Sequence, residues 1–354
     1  MKKVWIMGIA AALLWVAAAF MVGCGGRAQA RGKLQIMYTG NLRGSVAPCG
    51  CHTPKGGLAR WAAFMSRHEN PDAAWLRLDA GNCVDRDGSG GCSGKCHFML
   101  SSYRDLHYDV QNIGKQEVWM GYPTLKGIMD TLNGAQWISA NLVDAASKKP
   151  IAKPYVIRDY GKMTVGILGL LSEQDFPKGT SLLDTTRLAV TPYLEAAKRY
   201  LPTLFRKTDA VVVMGELSSG AVDTLIREFP DIDLVISTGA LRTGETPATI
   251  GKTRVLGTGS SGYTGHYATL EFNAGGKSDS LGFYQFQDLL TDVYDEHGEW
   301  ADRLAAFNAS ATAAPATKSA APVQSAAPGG ASPKIDMKAS SPGSVSTSTR
   351  ATQG

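Results

Sequence analysis

Histidine is scarce in this chain, with 6 among 354 residues, so a centre that depends on imidazole ligands has few side chains to draw on. An excess of one charge is missing too. The net charge of +5 comes mostly from Lys2, Lys3, Lys318, Lys334, Lys338 and Arg350 against Asp336, which leaves the interior near neutral. That balance gives a nucleic-acid partner no support. From Asn308 to Gly354 aromatic residues and apolar periodicity are both lacking. The stretch is almost entirely Ala, Pro, Ser, Thr and Gly, which cannot bury enough surface to offset its ordering entropy, so residues 308–354 read as a disordered tail. No Pro/Gly/Ser linker interrupts the interior, and one folded domain is expected over residues 33–307.

The one long apolar run, Val4 to Val22, follows Lys2 and Lys3 and closes on Gly23-Cys24. Residues 1–23 therefore read as a bacterial lipoprotein signal, with cleavage before a lipid-bearing Cys24 and residues 24–32 as a linker; a plain N-terminal membrane anchor is the alternative. Gly25 rather than an acidic residue follows the cysteine, which in the sorting pattern this signal resembles favours the outer membrane, facing the periplasm.

In between, short β-rich runs alternate with helical patterns. "LQIMYTG" precedes "GGLARWAAFMSRH"; "AWLRLDAG", "DVQNIG" and "WISANLV" follow; then "YVIRDYGKMTVGILGLL" with a Gly161-Lys162 turn, "DAVVVMGEL" and "DIDLVIST". Ala210 to Met214 and Asp233 to Ile236 are nearly continuous apolar runs, as expected of strands covered on both faces. The pattern is α/β. Ligands in such folds gather beyond the carboxyl ends of strands, here the loops after Tyr38, Leu78, Asn112, Val213 and Ile236.

Those loops carry a resemblance. "YTGNLRG", "GGLARWAAFM", "LRLDAGN", "NIGKQEVWMGY", "ISANLV", "KPYVIRDYGKMTVGILGLLS", "DAVVVMGELSSG" and "DIDLVISTGALRT", in this order from about Leu34 to Gln287, resemble the N-terminal domain of the 5'-nucleotidase branch of the calcineurin-like metallophosphoesterases. The resemblance implies a four-layer αββα sandwich and a pair of divalent cations that polarise a phosphoryl oxygen and activate water. It also implies ligands that this sequence lacks. Asn41-Leu42-Arg43 stands where the family has Asp-x-His, Asn82 where it has a bridging aspartate, and Gly114-Lys115-Gln116-Glu117 where it has Gly-Asn-His-Glu. Glu216-Leu217-Ser218 and Gly239-Ala240-Leu241 fill the later histidine motifs. No histidine falls in a ligand slot, and Arg43 and Lys115 bring fixed positive charge that opposes cation binding.

With Cys24 assigned to lipid, Cys49, Cys51, Cys83, Cys92 and Cys96 remain, in loops that the family fold places together. Disulfides are one reading, with bridges between the "CGC" and "CSGKC" loops favoured over closure of Cys49 onto Cys51. A thiolate-rich metal or iron–sulfur site is another, built from Cys49, Cys51, Cys92 and Cys96 with His52 or His97. Haem attached at "CSGKCH" is a third. His68, His107 and His297 read as capping or surface residues, His266 as a loop histidine, and "GTGSSGYTG" as a turn.

The expectation is a lipid-anchored envelope protein whose domain lacks the dinuclear hydrolase chemistry and works as a binding or structural module. Arg43 and Lys115 would suit a small anionic ligand, or would pair with the surviving acids Asp79 and Glu117. A protein partner is also compatible with this reading. Two rivals stay open: a phosphoester or nucleotide hydrolase with a remodelled metal site using Asn41, Asn82 and Glu216, and a cysteine-ligated redox protein.

Overall fold

A computed structural model of the protein describes residues 32–85, 92, 94–132, 134–176, 187–241, 247–272, 282–294 and 298–313. Cys24 and the expected signal, His297 and the part of the expected tail beyond residue 313 lie outside the described residues.

The elements follow in chain order as β1 (Gly32–Thr39), α1 (Leu58–His68), β2 (Ala74–Asp79), α2 (Gly94–Asp105), β3 (Val110–Asn112), α3 (Lys115–Val118), α4 (Tyr122–Thr131), β4 (Gln136–Ile138) and β5 (Leu142–Asp144). Then come β6 (Tyr155–Asp159), β7 (Thr164–Leu171), β8 (Leu188–Val190), α5 (Tyr193–Lys207), β9 (Ala210–Ser218), α6 (Ser219–Glu228) and β10 (Leu234–Gly239). The last are β11 (Ala248–Ile250), β12 (Thr253–Gly257), β13 (Thr264–Phe272), β14 (Gly282–Leu289) and α7 (Glu299–Ala313).

Two six-stranded sheets result, ordered β14-β13-β1-β2-β3-β4 and β11-β12-β10-β9-β7-β6, with β5 and β8 as a separate pair. The period-2 alternation of side chains sorts each strand between two cores. Ile36 and Tyr38 of β1, Val212 and Met214 of β9 and Ile236 of β10 point into one apolar layer between the sheets. Met37 instead joins Trp61 and Phe64 of α1 and Met99 of α2 outside the first sheet. Val211, Val213 and Val235 meet Leu201 of α5 and Leu225 of α6 outside the second. The expected helix–sheet–sheet–helix sandwich is present, and strands covered on both faces explain the continuous apolar runs.

Helix α1 shows how local sequence sets one layer. Leu58, Trp61, Phe64 and Met65 share a face at helical spacing, Gly56 and Gly57 turn the chain into it with φ of 73° and 95°, and Arg67 and His68 stand in its last turn. At the far end, α7 runs on to Ala313, so the boundary expected at Asn308 falls too early. Alanines in "FNASATA" have high helix propensity and extend the helix that Glu299 begins, while Trp300 and Leu304 pack on the first core.

Candidate functional site

Strands β1 and β2 pair in parallel with Thr39 opposite Asp79, so the loops that follow them leave the same edge of the sheet. They stay side by side. Asn41 N donates to Gly81 O at 2.9 Å, Arg43 N to Asn82 O at 2.9 Å, and Gly44 N to Cys83 O at 2.8 Å. Asn41, Arg43 and Asn82 all adopt left-handed φ, at 55°, 48° and 62°. Asparagine enters that region at small cost and arginine at more, so the loop pairing holds Arg43 against its own preference.

The two asparagines meet. Asn82 Nδ2 donates to Asn41 Oδ1 at 3.0 Å, and Asn41 Nδ2 donates across to Thr238 O of the second sheet at 2.7 Å and to Gly259 O at 3.4 Å. Asn82 Oδ1 in turn accepts from Gln116 N at 2.9 Å. Both amides are therefore turned onto protein partners. The glycine-rich segment expected to be a turn closes over them, with Ser261 N donating to Asn41 O at 2.8 Å.

Glu117 organises the floor. Its Oε2 accepts from Asn82 N at 2.9 Å and Gly114 N at 2.8 Å, and its Oε1 from Cys83 N at 2.8 Å and Val84 N at 3.2 Å. Burial raises its pKa, and the backbone donors work against that shift. The approach requires glycine: a Cβ on Gly114 would lie 2.4 Å from Asn82 N.

Lys115 points elsewhere. Its Nζ lies 3.7 Å from Glu216 Oε1 and 3.8 Å from Asp175 Oδ1, 5.2 Å above the Trp119 ring, while its backbone N donates to Glu216 Oε2 at 3.1 Å. Burial first, then Glu216, raises the Asp175 pKa, and Lys115 opposes both. The alternative pairing of Lys115 with Asp79 or Glu117 is not formed, because both of those acids are fully buried with partners of their own. Asp79 accepts from Thr39 Oγ1 at 2.6 Å, Tyr103 OH at 2.7 Å and Gly81 N at 2.8 Å, and burial pushes its pKa up to about 7. Neither carboxylate is open to solvent. Arg43 has an exposed side chain and no ion pair among the described residues.

The residues present do not fit the cation pair that the resemblance implies. Such ions are held mainly by anionic oxygens and neutral imidazoles, with amide carbonyls only as added neutral ligands. Here the Asn41 and Asn82 oxygens are neutral and bonded to protein donors, and Glu216 already faces an ammonium group. Among the described residues no group of three or more His, Cys, Asp or Glu side chains could hold a metal ion.

The cysteines pair within their loops, as Cys49–Cys51 and Cys92–Cys96, which corrects the expected bridges between loops. Their Cα separations of 5.3 Å and 5.2 Å lie in the range a disulfide spans, and the first pair sits on an exposed loop while Cys96 is buried in the first core. With all four sulfurs paired, a ligand set of Cys49, Cys51, Cys92 and Cys96 is not assembled, and His52 and His97 are exposed. Haem attachment at Cys92 and Cys96 fails for the same reason. Cys83 is the free thiol among the described residues; burial pushes its pKa up, and Gln111 Nε2 donates to its sulfur at 2.8 Å.

His266 also departs from expectation. It lies in β13, 2% exposed, with its ring centroid 5.1 Å from that of Tyr38 and neither ring nitrogen hydrogen-bonded; burial lowers its pKa to about 3. The glycine-rich turn ends earlier than the sequence suggests, and the alternation His266, Ala268, Leu270 puts this ring inside. His68 is half-buried against Phe64 and Tyr267 rather than a solvated cap, and His107 is exposed as expected. Asp175, Thr238 and Gly259 complete the site without any motif to announce them.

No family model matches the chain. A 2',3'-cyclic-nucleotide 2'-phosphodiesterase/3'-nucleotidase of Yersinia enterocolitica is 27% identical over 186 residues, a match spanning 48% of this chain and 28% of that protein. A 5'-nucleotidase precursor from Thermus thermophilus superposes with a TM-score of 0.62 at 20% identity, over 79% of this chain and 59% of that one. The NAD nucleotidase of Haemophilus influenzae gives 0.66 at 15% identity, over 79% and 67%. The chain thus spans little more than a quarter of the curated relative. Its fold is that of the 5'-nucleotidase-like metallophosphoesterases.

Proposed function

We propose that this 5'-nucleotidase-like phosphoesterase domain works without two-metal hydrolysis, as a binding or structural module on a lipid-anchored protein of the bacterial outer membrane. The observation that carries the reading is the amide pair: Asn82 Nδ2 donates to Asn41 Oδ1 at 3.0 Å, at the two positions where the resemblance sets metal ligands. A hydrogen bond between neutral amides joins the loops that cations would otherwise bridge, and the Lys115–Glu216 contact adds a fixed ion pair beside it. Arg43, exposed on the first loop, is the group offered to an anionic ligand, since the Lys115 charge is already matched by two carboxylates. Anchoring through Cys24 places the domain in the periplasm.

The test has two parts. The full chain, supplied with Mn²⁺, Mg²⁺, Co²⁺ or Zn²⁺, should release phosphate from nucleotides and from bis-p-nitrophenyl phosphate no faster than the metal alone. Metal-dependent turnover that Asn82→Ala abolishes would sink the proposal in favour of a remodelled hydrolase. Labelled palmitate should enter the expressed protein and be absent from Cys24→Ala; label in the variant, or none in either, would remove the anchor.

A further inference from the structure

The two disulfides have opposite settings. Cys96 is 1% exposed at the start of α2, its sulfur 3.9 Å from Met120 Sδ, and Cys92 packs on the same core. Cys49 is half-buried, whereas Cys51 is exposed together with Gly50, His52 and Thr53. The stem of that loop is fixed. Cys49 N donates to Lys55 O at 2.9 Å, Lys55 N donates back to Cys49 Sγ at 3.3 Å, and the buried Arg60 donates Nη1 to Pro54 O at 2.8 Å.

A bridge closed over the single residue Gly50 removes little freedom from the unfolded chain, so it contributes little to holding the fold. Its exposure leaves it open to thiolates, the setting in which disulfides are labile or reactive. The two sulfurs are also unequal. Cys51 is the exposed residue of the pair and so the point of attack, while Cys49 Sγ already accepts an N–H that would stabilise negative charge developing on a leaving sulfur.

We propose that Cys49–Cys51 is a thiol–disulfide exchange site that accepts two electrons from external thiols through Cys51. A thiolate attacks Cys51 Sγ, the Cys49–Cys51 bond breaks, and its electron pair goes to Cys49 Sγ beside the Lys55 N–H. A mixed disulfide is left on Cys51. A second thiolate attacks the reductant's sulfur in that mixed disulfide, and Cys51 leaves as a thiolate. Two external thiols become one disulfide, and the protons they release protonate Cys49 and Cys51. Cys83 takes no part, being fully buried.

The experiment exposes the oxidised full chain briefly to glutathione, quenches with N-ethylmaleimide and maps the cysteine peptides by mass spectrometry. Cys49–Cys51 should open at least about tenfold faster than Cys92–Cys96, with glutathione on Cys51 and maleimide on Cys49 in the intermediate. Opening of Cys92–Cys96 first or equally fast, glutathione on Cys49, or no opening of either bridge would each overturn the proposal. A Cys49→Ser, Cys51→Ser double variant should melt as the parent does and lose the fast phase of glutathione oxidation. A fast phase that survives in it would count equally against the assignment.

Discussion

Lys115 Nζ stands 3.7 Å from Glu216 Oε1 while the Lys115 backbone N–H donates to Glu216 Oε2 at 3.1 Å, so one residue grips both oxygens of a carboxylate carried by the opposite sheet. Lys115 opens α3 just beyond β3, and Glu216 lies near the end of β9. The contact therefore joins the loop edges of the two sheets at the site, with Asp175 as a second acid on the same ammonium.

Replacing Lys115 by Met should leave Glu216 and Asp175 facing each other without a counter-charge. Asp175 is a third exposed, so solvent screens much of the effect, and the cost expected at pH 7 is about 1 kcal/mol. The Asp175 pKa is already raised, so acid relieves the repulsion early. Denaturant midpoints should show the variant's deficit shrinking between pH 7.5 and pH 4.5; a constant or growing deficit would contradict the geometry.

Glu117→Gln keeps the shape of the side chain but turns one acceptor oxygen into a donor facing backbone N–H groups. Each Glu117 oxygen serves two of them, so a pair of buried donors loses its partner, at about 3 kcal/mol. Equilibrium unfolding in urea measures it. A loss below 1 kcal/mol would mean that Glu117 does not fasten the loops together.

Gly114→Ala should also destabilise the protein, here by crowding. Its φ of −95° suits any residue, so the effect isolates the clash of the new Cβ with Asn82 N and Asn82 Oδ1, at 2.4 Å and 2.6 Å in the parent geometry. A cost of about 2 kcal/mol is expected. Unchanged stability would show that the loops after β2 and β3 can separate freely.

Two buried groups give opposite pH dependences. Asp79, with a pKa near 7 folded against 3.8 in the unfolded chain, takes up its proton first in the folded protein; its contribution is fully present below 3.8 and lost as pH rises through 7. His266, near 3 folded against 6.5, is protonated first in the unfolded chain; its contribution is present above 6.5 and lost as pH falls toward 3. Between about pH 4 and 6.5 the two slopes, each at most about 1.4 kcal/mol per pH unit, largely offset. Melting curves should accordingly rise with falling pH in His266→Phe and fall in Asp79→Asn. Parallel slopes in the two variants would contradict the burial of one of them.

What the sequence revealed followed from its periodic signals. Ala210 to Met214 read as a doubly covered strand because its side chains alternate between two apolar layers, and eight ordered segments carried the fold. The site was legible at Asn41, Asn82 and Glu117 as positions but not as a network, because a hydrogen bond such as Asn41 to Thr238 joins residues far apart in the chain. Asp175 had no signal for the same reason. The cysteines misled: the strain expected in a Cys49–Cys51 closure and the nearness of the loops that the resemblance implies favoured bridges between loops, whereas the core buries Cys96 and leaves Cys51 outside. His266 looked like a loop residue because the glycines before it hide where β13 begins.

The proposal that amides and an ion pair take the place of a cation site is tested most directly by titrating Mn²⁺ into the full chain, followed by electron paramagnetic resonance. The six-line signal of free Mn²⁺ should grow with total Mn²⁺ from the first addition, in the parent and in Asn82→Ala alike. A signal suppressed until one or two equivalents have been added, and restored by Asn82→Ala, would show a working metal site and contradict it.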